Sequence, residues 1–137
     1  MILVDTGSLI ALFDPADGAH TRCVEVLATI EEPLGTTVPV LTEAFHLLSP
    51  GSTGSLRLMD FMAGAGLTIL FLDDVTLGRA FELMIQYADT RMDLADASLV
   101  VAAEQLDMRK IFTIDRADFA TYRIKRGHVH HAFEMLG

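Results

Sequence analysis

The amino-acid sequence predicts an α/β fold: a three-layer α/β/α sandwich with a mostly parallel central sheet of four to five short strands. Short apolar runs, such as residues 1–4 and 110–114, have the length of buried strands. Longer segments between them carry apolar residues at helical spacing. Strands that alternate with helices pair in parallel, and the helices cover both faces of the sheet. At 137 residues, without a repeat or a linker, the chain is expected to form one domain over 1–137.

Each predicted strand is a short apolar run with a turn or helix signal beside it. The run MILV ends at the DTGS segment, and Pro39 follows the second run, where it can occupy the first turn of a helix. Gly66 precedes the third run, and the fourth ends at Asp115. The predicted strands lie at 1–4, 34–38, 67–72 and 110–114, with a weak strand near Ile124 or Val129.

The predicted helices are bounded by proline and by capping residues. Pro15 ends the first helix, Pro33 the second and Pro50 the third, whereas Asp74 or Thr76 is expected to cap the fifth. The residues of the fifth helix that are expected to face inward are Leu77, Phe81, Met84 and Ile85. The predicted helices lie at 9–13, 20–30, 39–48, 56–62, 74–88 and 93–106, with one further turn near Ala117.

The composition predicts a soluble, cytoplasmic protein that buries an unusual amount of apolar surface. Hydrophobic residues make up 51% of the chain and the mean hydropathy is +0.40, which fits a covered sheet or a surface that another chain buries. The single cysteine, Cys23, excludes a disulfide framework and fits a reducing compartment. Apolar segments such as Ile69–Leu72 are far too short to span a bilayer, and we expect no membrane association.

The charge distribution argues against a protein that coats nucleic acid in general. Ten basic and 19 acidic residues give a formal net charge of −9. Six of the ten basic residues nevertheless fall between positions 109 and 126, on either side of Asp115. They could form a cationic rim beside an anionic pocket, or they could be solvated charges at a surface edge. The six are Arg109, Lys110, Arg116, Arg123, Lys125 and Arg126.

Four carboxylates mark the candidate site, because each stands where an apolar run ends or a helix begins. They are Asp5, Glu43, Asp96 and Asp115. The carboxyl ends of parallel strands share one edge of a sheet, where open α/β sheets gather their ligands. Asp5 and Asp115 could therefore be neighbours in space. We predict that the four acids converge to hold Mg²⁺ or Mn²⁺ for the cleavage of a phosphodiester bond.

Taken singly, three of these acids also have a structural interpretation. Asp5 could cap the helix that follows it, and Asp115 could start a turn before Arg116. Glu43 could be a partly exposed helix residue.

Asp93 and Asp96 stand three residues apart at the start of a helix, where acids are favoured as caps and by the helix dipole. Asp96 also lies on the inward stripe with Val100 and Ala103, where an ionised, unpaired acid would be costly. We therefore interpret Asp96 as a metal ligand, and Asp93 as a cap or an outer acid.

The donor types point to a hard cation. Carboxylate oxygens favour Mg²⁺ or Mn²⁺, and no cysteine and histidine spacing indicates zinc. The C-terminal His128, His130 and His131 could bind phosphate or metal, or could be exposed residues of the tail. The hydrophobic-Asp-Thr-Gly sequence at Asp5 matches aspartic proteases, but that fold is all-β, whereas here the sequence leads into a helical pattern.

The order Asp, Glu, Asp-x-x-Asp-Ala and strand-Asp resembles the PIN domain, especially the VapC-like toxins of prokaryotic toxin–antitoxin pairs. The resemblance covers most of the chain and is carried by four stretches: LVDTGSLIALF, LTEAFHLL, MDLADASLVVAAEQL and IFTIDRADF.

The resemblance implies an acidic metal site made of Asp5, Glu43, Asp96 and Asp115, with Asp93 as an added acid. Thr6, Ser8 and Thr113 would be supporting hydroxyls. It also implies one or two Mg²⁺ or Mn²⁺ ions, an RNA substrate, a cognate antitoxin and a homodimer. Arg116 and Arg123 are candidates to steady the scissile backbone.

The predicted function is that of a metal-dependent endoribonuclease, the toxin of a type II toxin–antitoxin pair. One alternative is a catalytically inactive module that binds RNA or protein. Another is a nuclease of the same family that acts on DNA or in ribosomal RNA processing. Titration with Mn²⁺ distinguishes the nuclease from an inactive module, which has no need to bind the ion. Competition between RNA and DNA oligonucleotides distinguishes an enzyme that cleaves RNA from one that cleaves DNA.

Overall fold

The computed structural model describes all residues, Met1–Gly137, and its centre is a five-stranded parallel sheet. In space this sheet runs β3-β2-β1-β4-β7, and each neighbouring pair is parallel. A separate antiparallel hairpin consists of β5 and β6. The strands are β1 (Ile2–Val4), β2 (Leu34–Thr37), β3 (Thr68–Leu70), β4 (Lys110–Phe112), β5 (Arg123–Arg126), β6 (Val129–Ala132) and β7 (Glu134–Leu136).

Seven α-helices join and cover these strands. Helix α1 packs against α2, α3 and α4, whereas α5 packs against α6. The predicted α/β fold with a mostly parallel central sheet is therefore confirmed. The helices are α1 (Thr6–Phe13), α2 (His20–Thr29), α3 (Val38–Leu48), α4 (Thr53–Ala63), α5 (Asp74–Gln86), α6 (Leu94–Leu106) and α7 (Arg116–Thr121), with a 3-10 turn at Ala88–Thr90.

The direction of chain connection reverses between β1 and β4. From β1 the chain continues to β2 and β3 on one side, whereas from β4 it continues to β7 on the other. Right-handed crossovers in opposite directions place helices on both faces of the sheet. In open α/β sheets the crevice at the carboxyl ends of two such strands is the usual ligand site. Asp5 directly follows β1, and Asp115 lies shortly after β4.

Strand β1 and helix α6 are major parts of the core. All three residues of β1 are buried, as the apolar run predicts. Helix α6 is buried almost throughout its length, from Ala95 to Glu104, because it lies between the sheet and α5. The acids at its N-terminal end are therefore held by one of the most firmly packed helices of the molecule. None of the helices has the length and apolar character that crossing a bilayer requires.

The predicted inward face of α5 is wrong at Phe81 and Ile85, whereas Met84 packs against the core as predicted. Phe81 is 50% exposed and Ile85 is 79% exposed, whereas the buried residues of this helix are Ala80 and Leu83. Arg79 on α5 forms an ion pair with Glu104 on α6, with 2.9 Å between Nε and Oε1. With this pair in place, Ala80 and Leu83 are buried, whereas Phe81 and Ile85 face solvent.

The predicted cap of α5 is also displaced, because Asp73 is the N-cap rather than Asp74 or Thr76. The Asp73 carboxylate accepts a hydrogen bond from the Thr76 backbone N–H at 2.9 Å, and the Thr76 hydroxyl accepts one from the Asp73 N–H at 2.8 Å. This reciprocal pair is a capping box. Thr76 is thus the second member of the capping box.

The C-terminal segment contains more regular structure than the sequence indicates. Both Ile124 and Val129 lie in strands, β5 and β6, which pair with each other. The last strand, β7, then returns to the central sheet and pairs with β4. The residues of β7 are E-M-L, and Glu134 interrupts the apolar residues around it, so the sequence gives no sign of this strand.

Candidate active site

Six carboxylates line one open cavity at the carboxyl ends of β1 and β4. The cavity has a volume of about 630 Å³ and lies at the point where the direction of chain connection reverses. The four acids predicted from the sequence all line it, so the structure brings them together from remote parts of the chain. The six are Asp5, Glu43, Asp93, Asp96, Asp115 and Asp118.

Asp5 is the most deeply buried acid of the cavity. It is the N-cap of α1, and its Oδ1 accepts a hydrogen bond from the Thr6 N–H at 2.7 Å. Its Oδ2 accepts a hydrogen bond from the Thr113 hydroxyl at 3.0 Å. The side chain is only 4% exposed, and burial raises the pKa of this carboxyl to about 6, against the opposing effect of the two hydrogen bonds.

Thr113 connects two of the acids. Its hydroxyl donates to Asp5 and accepts a hydrogen bond from the backbone N–H of Asp115 at 2.9 Å. Because Thr113 follows β4 and is fully buried, it holds the turn that carries Asp115 against the end of β1. The structure thus places this predicted supporting hydroxyl between Asp5 and Asp115.

Asp96 lies in the first turn of α6, and Asp93 is the N-cap of that helix. The Asp93 carboxylate accepts a hydrogen bond from the Asp96 N–H at 2.8 Å, as the capping interpretation predicts. The Asp96 Oδ2 accepts a hydrogen bond from the Tyr122 hydroxyl at 3.0 Å. Burial, followed by the nearby charges of Asp93 and Asp5, raises the pKa of Asp96 to about 8.

Glu43, Asp115 and Asp118 complete the acidic lining from α3 and from the start of α7. Desolvation and the neighbouring charge of Asp93 raise the pKa of Glu43 above its usual value. Desolvation and the neighbouring Asp115 do the same for Asp118. Glu43 and Asp118 are therefore harder to ionise than they would be alone in water, because they are partly desolvated and share the cavity with other acids.

The donors fit a hard divalent cation but are not assembled into a finished metal site. No three acidic, histidine or cysteine side chains stand in the arrangement of a formed metal site. The cavity wall does carry six carboxylates, and the buried hydroxyl of Thr6 has no hydrogen-bond partner in the protein. Oxygen donors of this kind suit Mg²⁺ or Mn²⁺, whose positive charge would offset the repulsion among the acids.

Comparison with known proteins identifies the family of this chain. Residues 2–125 match the sequence profile of the PIN domain. The chain belongs to the PIN domain family. Ribonuclease VapC26 of Mycobacterium tuberculosis is 27% identical to this PIN domain over 124 residues, which are 89% of this chain and 92% of that protein.

Solved structures of similar fold cover nearly the whole PIN domain. The crystal structure of VapC20 of Mycobacterium tuberculosis, a toxin that cleaves the sarcin–ricin loop, has a TM-score of 0.80 and 16% identity. It covers 96% of this chain and 100% of its own. A toxin–antitoxin complex from Klebsiella pneumoniae has a TM-score of 0.67 and 20% identity, and covers 88% of this chain and 92% of its own. At these identities the likeness concerns the fold.

Arg91 is the one basic residue that lines the cavity of this PIN domain. It ends the 3-10 turn in the left-handed conformation, with φ of 57°, and forms no ion pair with the surrounding acids. None of the six basic residues between positions 109 and 126 lines the cavity. Arg116 donates a hydrogen bond to the Gly137 carbonyl, and the Arg123 guanidinium donates to the carbonyls that end α7.

The remaining predicted residues lie at different distances from the site. Thr6 lines the cavity, whereas Ser8 is fully buried and does not line it. The histidines of the C-terminal segment lie in and next to the β5–β6 hairpin, away from the cavity wall. Their role, and the proposed contacts of Arg116 and Arg123 with substrate, stay predictions.

Three residues of the site escape the sequence reasoning: Arg91, Asp118 and Tyr122. Asp118 stands three residues after Asp115, the same spacing that singles out Asp93 and Asp96, so this signal is available in the sequence. Arg91 and Tyr122 carry no comparable signal, because only the fold brings Arg91 to the cavity wall and the Tyr122 hydroxyl to Asp96.

Proposed function

We propose that this PIN domain is a metal-dependent endoribonuclease that hydrolyses RNA phosphodiester bonds. The observation that carries the proposal is the convergence of six carboxylates on one cavity at the reversal point of a parallel sheet. The similarity to ribonuclease VapC26 supports RNA as the substrate. The chain has no catalytic serine or cysteine in the cavity, so water is the proposed nucleophile.

Asp5, Asp96 and Asp115 are the proposed ligands of one or two Mg²⁺ or Mn²⁺ ions. When bound, the cation supplies Lewis-acid activation of water and neutralises charge on the scissile phosphate. Glu43, which lines the cavity from α3, is a further ligand or the base that orients the attacking water. Thr113 holds Asp5 and the Asp115 backbone in a fixed relation. Thr6 offers an unpaired hydroxyl beside them.

The test is cleavage of RNA by the purified protein. We expect cleavage with Mg²⁺ or Mn²⁺, no cleavage in EDTA, and loss of at least about a thousandfold in rate for Asp5→Asn, the scale of loss when a metal-site or charge-stabilising group is removed. Asp60→Asn is the matched control, because Asp60 is an exposed acid of α4 outside the cavity. Cleavage that persists in EDTA or in Asp5→Asn contradicts the proposal.

The same assay separates the alternative functions. A binding module without catalysis would retain RNA but would not cleave it at any Mn²⁺ concentration. A nuclease that acts on DNA would prefer a DNA competitor of the same sequence.

We further propose that the protein is the toxin of a type II toxin–antitoxin pair and acts in the cytoplasm, where its RNA substrate lies. The structural likeness to a toxin–antitoxin complex supports this role. Large apolar side chains on the surface, such as Phe71, Val75 and Ile85, are available to an antitoxin and to the second copy of a homodimer. Induced expression should arrest growth, Asp5→Asn should not, and co-expression of a small neighbouring reading frame should relieve the arrest.

A further inference from the structure

Tyr122 is the one protein group whose side chain is hydrogen-bonded to the Asp96 carboxylate. We propose that Tyr122 is a positioning residue that fixes this carboxylate in the orientation needed to bind the catalytic cation. The inference rests on the proposed function and deepens it, because it extends the site to a residue outside the acidic cavity wall.

The hydroxyl engages only one of the two carboxylate oxygens. Tyr122 donates to Oδ2 at 3.0 Å, so Oδ1 stays free for a ligand. An aspartate carboxylate that is held at one oxygen cannot rotate freely about its last side-chain bond. Hydrogen bonds of this kind orient metal ligands and raise the affinity of the site for its ion.

The tyrosine ring is itself held in place by an aromatic cluster, defined here as Tyr87, Phe119, Tyr122 and Phe133. The Tyr122 ring is 0% exposed and meets Tyr87 and Phe119 edge to face, at centroid distances of 5.2 Å and 5.1 Å. Phe119 meets Phe133 in the same way at 5.4 Å. The position of the donor is therefore set by the core, and its hydroxyl cannot follow a carboxylate that swings away.

A neutral donor suits this place better than a basic side chain would. A lysine or arginine at the same distance would neutralise Asp96 and would compete with the cation for it. The phenol adds no positive charge, since a tyrosine hydroxyl is a neutral donor. It thus stabilises the ionised carboxylate while the negative charge stays available to the metal.

The cluster also supplies a matched control. Tyr87 has the same type of hydroxyl in the same cluster, but it accepts a hydrogen bond from the Arg123 backbone N–H at 3.1 Å and does not touch Asp96. Tyr87→Phe and Tyr122→Phe each remove one hydroxyl from the same aromatic packing. A purely structural role predicts similar effects for both variants, whereas a positioning role predicts a difference in metal binding.

The experiment is calorimetric titration of the full chain with Mn²⁺, for the wild type, Tyr122→Phe, Tyr87→Phe and Asp5→Asn, with melting temperatures measured in EDTA. We expect Tyr122→Phe to bind Mn²⁺ about tenfold more weakly, or worse, and Tyr87→Phe to bind it like the wild type. Cleavage by Tyr122→Phe should recover when the Mn²⁺ concentration is raised.

Each outcome has a distinct meaning. Equal Mn²⁺ affinity of Tyr122→Phe and the wild type overturns the positioning role and leaves the proposed function intact. Absence of Mn²⁺ binding by the wild type, or unchanged binding by Asp5→Asn, overturns the proposed function and this inference with it.

Nuclear magnetic resonance of the wild type gives a measurement that needs no variant. The ring signals of Tyr122 should shift on addition of Mg²⁺ more than those of Tyr87. Equal or absent shifts count against the inference even if Tyr122→Phe fails to fold.

Discussion

Arg91 is the single basic residue on the wall of an otherwise acidic cavity. It stands in the left-handed conformation with φ of 57°, which costs a residue with a side chain about 1 to 2 kcal/mol. This conformation is common at the residue that ends a helical turn, and here it carries the Arg91 side chain to the cavity wall. Because no acid pairs with its guanidinium, Arg91 is free to contact a phosphate of the substrate.

Arg91→Gln should weaken RNA binding while leaving the metal site intact. The change keeps a side chain of similar length and the same backbone demand, but it removes the charge. We expect a rise in KM of about tenfold, which corresponds to about 1.4 kcal/mol for a lost charged contact. Mn²⁺ affinity should not fall.

Arg57→Gln is the control for that prediction, since Arg57 is exposed on α4 and lies outside the cavity. Cleavage kinetics over a range of RNA concentrations measure the effect. A KM for Arg91→Gln equal to that of Arg57→Gln would exclude a role of Arg91 in substrate binding.

The residues of the site differ in how far the sequence reveals them. Asp5 and Asp115 can be predicted to meet because each follows a buried run that ends at the same sheet edge. Asp96 is recognisable as an acid on the inward side of a nearly apolar helix. Arg91 and Tyr122 are not recognisable, because their place depends on the path of the 3-10 turn and on the packing of aromatic rings far apart in the chain.

At the scale of elements, the two ends of α6 have different roles: its first turn contributes to the site, and its last turns stabilise the fold. Its first turn carries Asp96, and its last turns carry Glu104, which is only 8% exposed. The Glu104 carboxylate accepts hydrogen bonds from the Arg79 guanidinium at 2.9 Å and 3.0 Å, and from the Lys125 N–H at 2.9 Å. One buried acid therefore joins α6 to α5 and to the C-terminal hairpin.

Glu104→Ala should lower the free energy of unfolding by about 2 to 3 kcal/mol, because it leaves the Nε and Nη2 donors of Arg79 and the Lys125 N–H without their acceptor. Urea denaturation in EDTA measures the loss. Gln105→Ala is the control, since Gln105 is the next residue of the same helix and is exposed. A loss for Glu104→Ala no larger than for Gln105→Ala would show that these bonds contribute nothing net.

Glu104 also explains why the faces of α5 cannot be predicted from its apolar residues. The helix has apolar side chains on more than one side, and periodicity alone does not say which side is buried. The ion pair between Arg79 and Glu104 indicates which side of α5 faces α6. It joins residues of two different helices, and their contact depends on the whole fold. Strand and helix positions follow from local patterns, whereas the rotation of a helix does not.

At the scale of the whole molecule, negative charge is concentrated in the cavity at the carboxyl ends of β1 and β4. The net charge is −9, and six acids share one cavity. Burial, followed by the neighbouring acids, raises the pKa of Asp5 to about 6 and that of Asp96 to about 8, above the ordinary aspartate value of 3.8. The folded protein thus holds protons that the unfolded chain has already released, and its metal-free stability is greatest at low pH within this range.

The metal-free protein should therefore lose stability as pH rises, and a divalent cation should restore it. The contribution of these two acids to stability is complete below about pH 4 and is lost as pH rises through about 6 and then about 8.

In EDTA we expect the melting temperature of Asp96→Asn to exceed that of the wild type by at least about 4 °C near pH 8.5, and by less near pH 5. In a domain of this size, a shift of about 4 °C corresponds to about 1 kcal/mol. The two proteins differ only at residue 96, so the difference between their melting temperatures isolates the contribution of Asp96. Mn²⁺ should raise the melting temperature of the wild type most at the higher pH, where the carboxylates are ionised, and should raise that of Asp96→Asn much less. Asp60→Asn is the control, since it removes an exposed acid. If the melting temperatures of the wild type and Asp96→Asn change with pH in parallel, the pKa of Asp96 is not raised by the fold.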